Sequence, residues 1–176
     1  MQNAHSISPE SYDNKVAQVL FLFSMFLYTL MFRSKDNTFV NNVFVGIRRI
    51  YIRALAGFFK KTKQQNDDLI YLDFIDTNLD ISVKLPKSIR CEINKQTAHF
   101  TELRGCFNID NPEYIDTAKQ LVSSINKFMR ELDVHIKESY RHEFEDYNTQ
   151  ELRSTVITQL NRIYIANAVN GIIIDE

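Results

Sequence analysis

Residues 112–136 read PEYIDTAKQLVSSINKFMRELDVHI, and their spacing decides the fold class. Ile115, Ala118, Val122, Ile125, Met129, Leu132 and Ile136 recur at alternating intervals of three and four. That is the period of one face of an α-helix that packs lengthwise on others. Asp110-Asn111-Pro112-Glu113 opens it with short polar side chains, a first-turn proline and an acid at the positive end of the helix dipole. The pattern predicts a helix over 112–146, the longest in the chain. Core packing is the common explanation of such a stripe, ahead of any cofactor role.

Outward from this helix the signals stay helical. Residues 1–7 read as a loose start. Ser8-Pro9-Glu10 resembles a helix entry, and the first helix is expected over 10–33. Arg33 to Asn37 is a polar turn, and Thr38 can cap a second helix at 39–62. Lys60 to Asp68 is a charged connection, after which Asp67-Asp68 starts a short helix through Leu69, Leu72, Phe74 and Ile75. Residues 77–85 alternate weakly between apolar and polar. Pro86 opens a fourth helix that stops at Gly105, a residue that accepts left-handed geometry. Asn148 and Glu151 form a capping box for a last helix through Val156, Leu160, Ile163 and Ala168. Asn170-Gly171 ends it, and Ile172-Ile173-Ile174 in the tail 172–176 is apolar enough to pack down. The expectation is one all-α domain over 1–176, an up-down bundle of about five helices.

Composition agrees with this reading. The chain has 176 residues, enough for a core that needs neither disulfide nor metal. Four Gly and three Pro are too few for the turns of a multi-stranded β fold. The 21 basic and 22 acidic residues give no global nucleic-acid signature, so contact with RNA or DNA requires a local patch. Cys91 and Cys106 read as free thiols of a reduced, cytosolic protein; they could pair only if a turn at Gly105 brought them together. Val16 to Phe32 is apolar on most sides but contains Gln18, Ser24, Tyr28 and Thr29 and lies at the short limit for a membrane span. Such a helix needs either a central position or a dimer interface.

The second helix, projected at about 100° per residue, is apolar around most of its circumference. One strip escapes: Asn42, Gly46, Arg49, Arg53, Gly57 and Lys60, at steps of 4, 3, 4, 4 and 3. Glycine inside a helix costs about 0.5–1 kcal/mol relative to alanine, so two on a line with two arginines imply that a helix, a partner subunit or a ligand approaches closely. The plain alternative is a solvent edge. Arg48, Arg49, Arg53, Lys60, Lys61 and Lys63 also form a basic run with no acid before Gln65. Such a run suits a phosphate backbone, or equally offsets the negative end of the helix dipole.

The fourth helix carries Ile89, Ile93, Phe100 and Leu103 inward, with Glu92, Lys95, His99 and Glu102 along one margin. A boundary histidine with a cation four residues earlier has its neutral, proton-accepting form favoured. The plain reading is a surface network of charged pairs. His5, His135 and His142 belong to no ligand pair. No HExxH, GxxxxGK[ST], GxGxxG or GxSxG motif is present, so metal and cofactor are expected to be none.

Together, Arg53-Ala54-Leu55-Ala56-Gly57-Phe58-Phe59, Asp67-Asp68, Asp73-Phe74 and Ile93-Asn94-Lys95-Gln96-Thr97-Ala98-His99-Phe100-Thr101-Glu102-Leu103-Arg104 resemble a group of small bacterial helical proteins with HEPN-like domains, including those of abortive-infection systems. The similarity covers about residues 40–105. It implies an α-helical, often dimeric bundle. In active members an arginine–histidine motif cuts RNA without metal, the 2′-hydroxyl attacking the adjacent phosphate. Carried over, His99 is the acid/base, while Lys95, Arg53 or Arg104 stabilises developing phosphorane charge and Arg49, Lys60 and Lys61 hold phosphate. Lys95 stands where the motif has arginine, a point charge in place of a bidentate fork. Arg53 can substitute only if the second and fourth helices pack together. The expected partners are RNA and a second copy, the latter through helix 10–33, the Gly46–Arg53–Gly57 strip, or both. The alternative is a non-catalytic helical binding or regulatory module.

Overall fold

The computed structural model of the chain describes residues 14–32, 38–98 and 112–169. These residues form seven helices: α1 (Lys15–Met31), α2 (Thr38–Phe58), α3 (Tyr71–Phe74), α4 (Lys87–Ala98), α5 (Pro112–His135), α6 (Glu138–Glu145) and α7 (Tyr147–Val169). No strand occurs among the described residues, so the all-α class holds, with more and shorter helices than the five expected. The proposed helix entry at Ser8-Pro9-Glu10, the stops at Gly105 and Asn170-Gly171, the Asp110-Asn111 opening, Cys106 and the tail 172–176 lie outside the described residues.

The apolar first helix takes the central position. Asn14 caps it by accepting from the Ala17 N–H at 2.8 Å, and it packs against α2, α6 and α7 of its own chain. Val16, Leu20, Phe23, Phe26 and Leu27 are buried. Its need for cover is thus met within the chain, which removes most of the reason to expect a dimer through helix 10–33. Only Phe21 and Tyr28 remain as exposed large apolar side chains on it, each 44% exposed. No helix among the described residues is long and apolar enough to cross a membrane.

An aromatic cluster joins the elements at the core. The Phe23 ring lies 5.6 Å from Phe58, 5.8 Å from Phe59 and 5.5 Å from Phe128. Edge-to-face and offset pairs of this kind add to the gain from area burial. Phe128 sets the rotation of α5. The buried face runs through Tyr114, Thr117, Leu121, Ser124, Ile125, Phe128 and Leu132, while Ile115, counted in the expected seam, is 40% exposed. The stripe keeps Val122, Ile125, Met129, Leu132 and Ile136 of the expected seam and is wider than it, taking in Tyr114, Leu121 and Phe128.

The helix expected over 112–146 breaks at Ile136. Ile75 and Ile136 form an isolated antiparallel bridge, with the Asp76 N–H donating to the His135 carbonyl at 3.0 Å and the Lys137 N–H to the Phe74 carbonyl at 2.8 Å. Lys137 is extended, and its ammonium reaches the Leu72 carbonyl at 2.6 Å. The last helix is capped by Asp146, whose carboxylate accepts from the Thr149 N–H at 3.2 Å, not by Asn148, which lies inside α7. Residues 77–85 form neither helix nor strand; Ile81 and Val83 are buried, Asp80 and Lys84 exposed. The Val83 N–H donates to the Phe59 carbonyl at 2.9 Å, just beyond the point where α2 ends, four residues earlier than the predicted 62.

Candidate functional site

The strip predicted on α2 is not uniformly exposed. Arg49 is buried, 8% exposed, whereas Arg53 is exposed and Lys60 half-buried. A Cβ added at Gly46 or Gly57 meets nothing within 4 Å, so no element of the described chain makes the close approach that the glycines suggested. The outward face instead carries Val43 and Ile50, 56% exposed, beside Arg53 and Ala54.

The basic run is partly neutralised by acids from later in the chain. Lys61 pairs with Asp80 at 2.8 Å and Lys63 with Asp73 at 2.9 Å. Asp73 is itself held in place by accepting from the Ile70 N–H at 2.9 Å, at the start of α3. Lys61 is therefore a poorer phosphate ligand than the bare sequence implied, since an incoming anion must compete with Asp80.

Of the residues offered for RNA cleavage, His99 and Arg104 lie outside the described residues, as does the side chain of Lys95. The helices that carry Arg53 and Lys95, α2 and α4, do pack together, with Ile89 and Ile93 of α4 in the core.

A different set of cations converges elsewhere. A cleft of about 940 Å³ opens between the C-terminal end of α1, Arg48 of α2, the first half of α5 and the last half of α7. Leu30, Met31, Val122 and Ile163 give it an apolar wall; Arg48, Lys119 and Arg162 bring three cations; Ser154, Thr155 and Thr158 add hydroxyls. Among the described residues, no carboxylate lines it.

The local reason for Arg48 is plain. The Thr29 carbonyl belongs to the last turn of α1, where carbonyls lack partners within the helix. Arg48 Nη2 donates to it, a cation placed at the negative end of a helix. That single bond leaves the guanidinium only partly used. Arg48 Nε is buried with no hydrogen-bond partner among the described residues, and so is Gln159 Oε1, on a side chain 8% exposed. Burial pushes the Arg48 guanidinium below its ordinary value, and nearby Tyr114 partly offsets this. Buried polar groups without partners are costly, and both of these sit on residues that line the cleft.

The sequence held a faint signal of this site. Thr155, Gln159 and Arg162 fall at steps of 4 and 3, a polar row beside the apolar row of Val156, Leu160 and Ile163. Arg48 stood in the basic run, but nothing local linked it to Lys119 or Arg162.

Comparison with protein-family models, with curated proteins and with solved structures returns no match to this chain. Among the described residues, no three metal-binding side chains gather.

Proposed function

We propose that the chain is a helical binding domain for an anionic ligand, with the cleft between α1, α2, α5 and α7 as its site. The observation that carries this is the lining: cations from three different helices and, among the described residues, no carboxylate. A concave, mostly apolar cleft with a few convergent polar groups is the usual form of a ligand site, and its volume lies in the ordinary range of roughly 300–1,000 Å³. Low-dielectric walls strengthen the field of the cations within it. The test is binding of 8-anilinonaphthalene-1-sulfonate, an aromatic anion, followed by its fluorescence. One molecule binds per chain, and Arg162→Glu with Lys119→Glu abolishes binding while the helical circular dichroism is kept. Equal binding by the charge-reversed protein refutes the reading.

The packing of α2 on α4 favours a second reading, the HEPN-like bundle with metal-independent ribonuclease activity using His99, Lys95 and Arg53. Incubation with mixed RNAs in the presence of a chelator tests it. Cleavage that His99→Ala removes supports it; intact RNA at high protein concentration ends it.

A further inference from the structure

We infer that the ligand of the cleft is a single-chain amphiphile with one anionic head, a fatty carboxylate in its chemistry. This rests on the reading of the cleft as an anion site and narrows it.

Three observations select the class. First, the cleft offers cations and an apolar wall together. Leu30 and Met31 of α1, Val122 of α5 and Ile163 of α7 share it with Arg48, Lys119 and Arg162. A free inorganic anion uses the cations and leaves this wall wet. An aliphatic chain covers it and removes apolar surface from water on both partners. Second, the buried polar atoms without partners are few and at the wall: Arg48 Nε, a donor, and Gln159 Oε1, on an amide that can turn to present either oxygen or NH₂. A carboxylate head leaves no further polar group of a ligand to satisfy, which a sugar or a base would bring into the cleft. Third, Arg48 is half-buried and already bound to the Thr29 carbonyl, so it presents one edge to a compact head. A nucleic-acid backbone, with a charge at every nucleotide, calls for a row of exposed cations. The nearest approach to such a row, the run from Arg48 to Lys63, is broken by the pairs Lys61–Asp80 and Lys63–Asp73.

The head is placed among Arg48, Lys119 and Arg162, and the chain runs along the α1, α5 and α7 side chains. Burial of each methylene is worth about a three- to fourfold gain in affinity. Loss of one charge-assisted contact costs about tenfold or more.

Titration calorimetry of the full chain with acetate, octanoate, decanoate and decyl alcohol, all below their aggregation limits, decides it. Affinity is expected to rise about three- to fourfold per methylene from octanoate to decanoate. Decyl alcohol is expected to bind at least tenfold more weakly than decanoate, and Arg162→Gln and Lys119→Gln each to weaken decanoate and leave decyl alcohol unchanged. Arg162 is exposed and Lys119 half-buried, so their replacement leaves the core intact. Acetate binding as tightly as decanoate overturns the amphiphile and leaves the anion site standing. Decyl alcohol binding as tightly as decanoate overturns the anion site as well. If no probe binds, both readings fall.

Discussion

Ile75 and Ile136 pair across a single antiparallel bridge, and this contact divides a continuous helical pattern into α5 and α6. No glycine or proline stands between Leu132 and Ser139. The break is made by partners far away in sequence: the carbonyl of Phe74, the N–H of Asp76 and the carbonyl of Leu72 all bond to residues 135–137. Residues 72–76 find their backbone partners there, and the helix gives up a turn to provide them.

Ile136→Ala is therefore expected to destabilise the fold by about 2–4 kcal/mol, the cost of truncating a buried isoleucine in a core. Urea unfolding followed by circular dichroism measures it. A change below about 0.5 kcal/mol, the usual range of surface substitutions, would mean that the junction is frayed and carries no packing.

The start of α7 separates two readings cleanly. Asp146 accepts from the Thr149 N–H, and Thr149 is fully buried. Asp146→Ala is expected to cost about 0.5–2 kcal/mol, the range for a lost N-cap. Asn148→Ala, at an exposed position within the first turn, is expected to stay within about 0.5 kcal/mol. Thermal melts of the two variants side by side are sufficient, and the reverse order would restore the capping box at Asn148.

Gly46 sits in the middle of α2 with open space where a Cβ would go. Gly46→Ala is expected to stabilise an isolated chain by about 0.5–1 kcal/mol. If a second copy packs its backbone against the Gly46–Arg53–Gly57 face, the same change lowers stability, and the loss depends on protein concentration. Melts over a concentration series distinguish the two, and the first outcome is the one the single chain supports.

Stability is expected to fall in acid partly through two loop carboxylates. The Asp80 carboxyl is held well below the usual carboxylate range, first by the Lys61 ammonium and then by the Ser82 hydroxyl and N–H. Asp68 is lowered as well, by the N–H groups of Gln65 and Gln64. For a carboxylate whose pKa is depressed on folding, the unfolded chain binds the proton more readily. The contribution is then present above the ordinary value of 3.8 and lost as pH falls below it. Asp80→Asn is expected to lower stability at neutral pH and to flatten the fall below pH 3.8. Chemical denaturation at a series of acid pH values checks both; an unchanged slope would show that Asp80 is not a source of the acid sensitivity.

The sequence alone determined that this chain is helical and which segments are apolar. A period of 3.6 is a property of local backbone geometry, so the spacing of Ile125, Met129 and Leu132 carries it without any partner. It also showed that the helix at 16–32 needs cover. It did not show that α2, α6 and α7 supply that cover. Tertiary structure decided everything that depends on which elements meet. It turned Ile115 out and Phe128 in, because the aromatic cluster sets the rotation of α5. It brought Asp73 and Asp80 back onto a lysine run that looked free of acid. It placed Arg48, Lys119 and Arg162, three cations on three helices with no local pattern in common, around one cleft. Charge pairing and concavity arise from the relative placement of elements, which no window of a single helix contains.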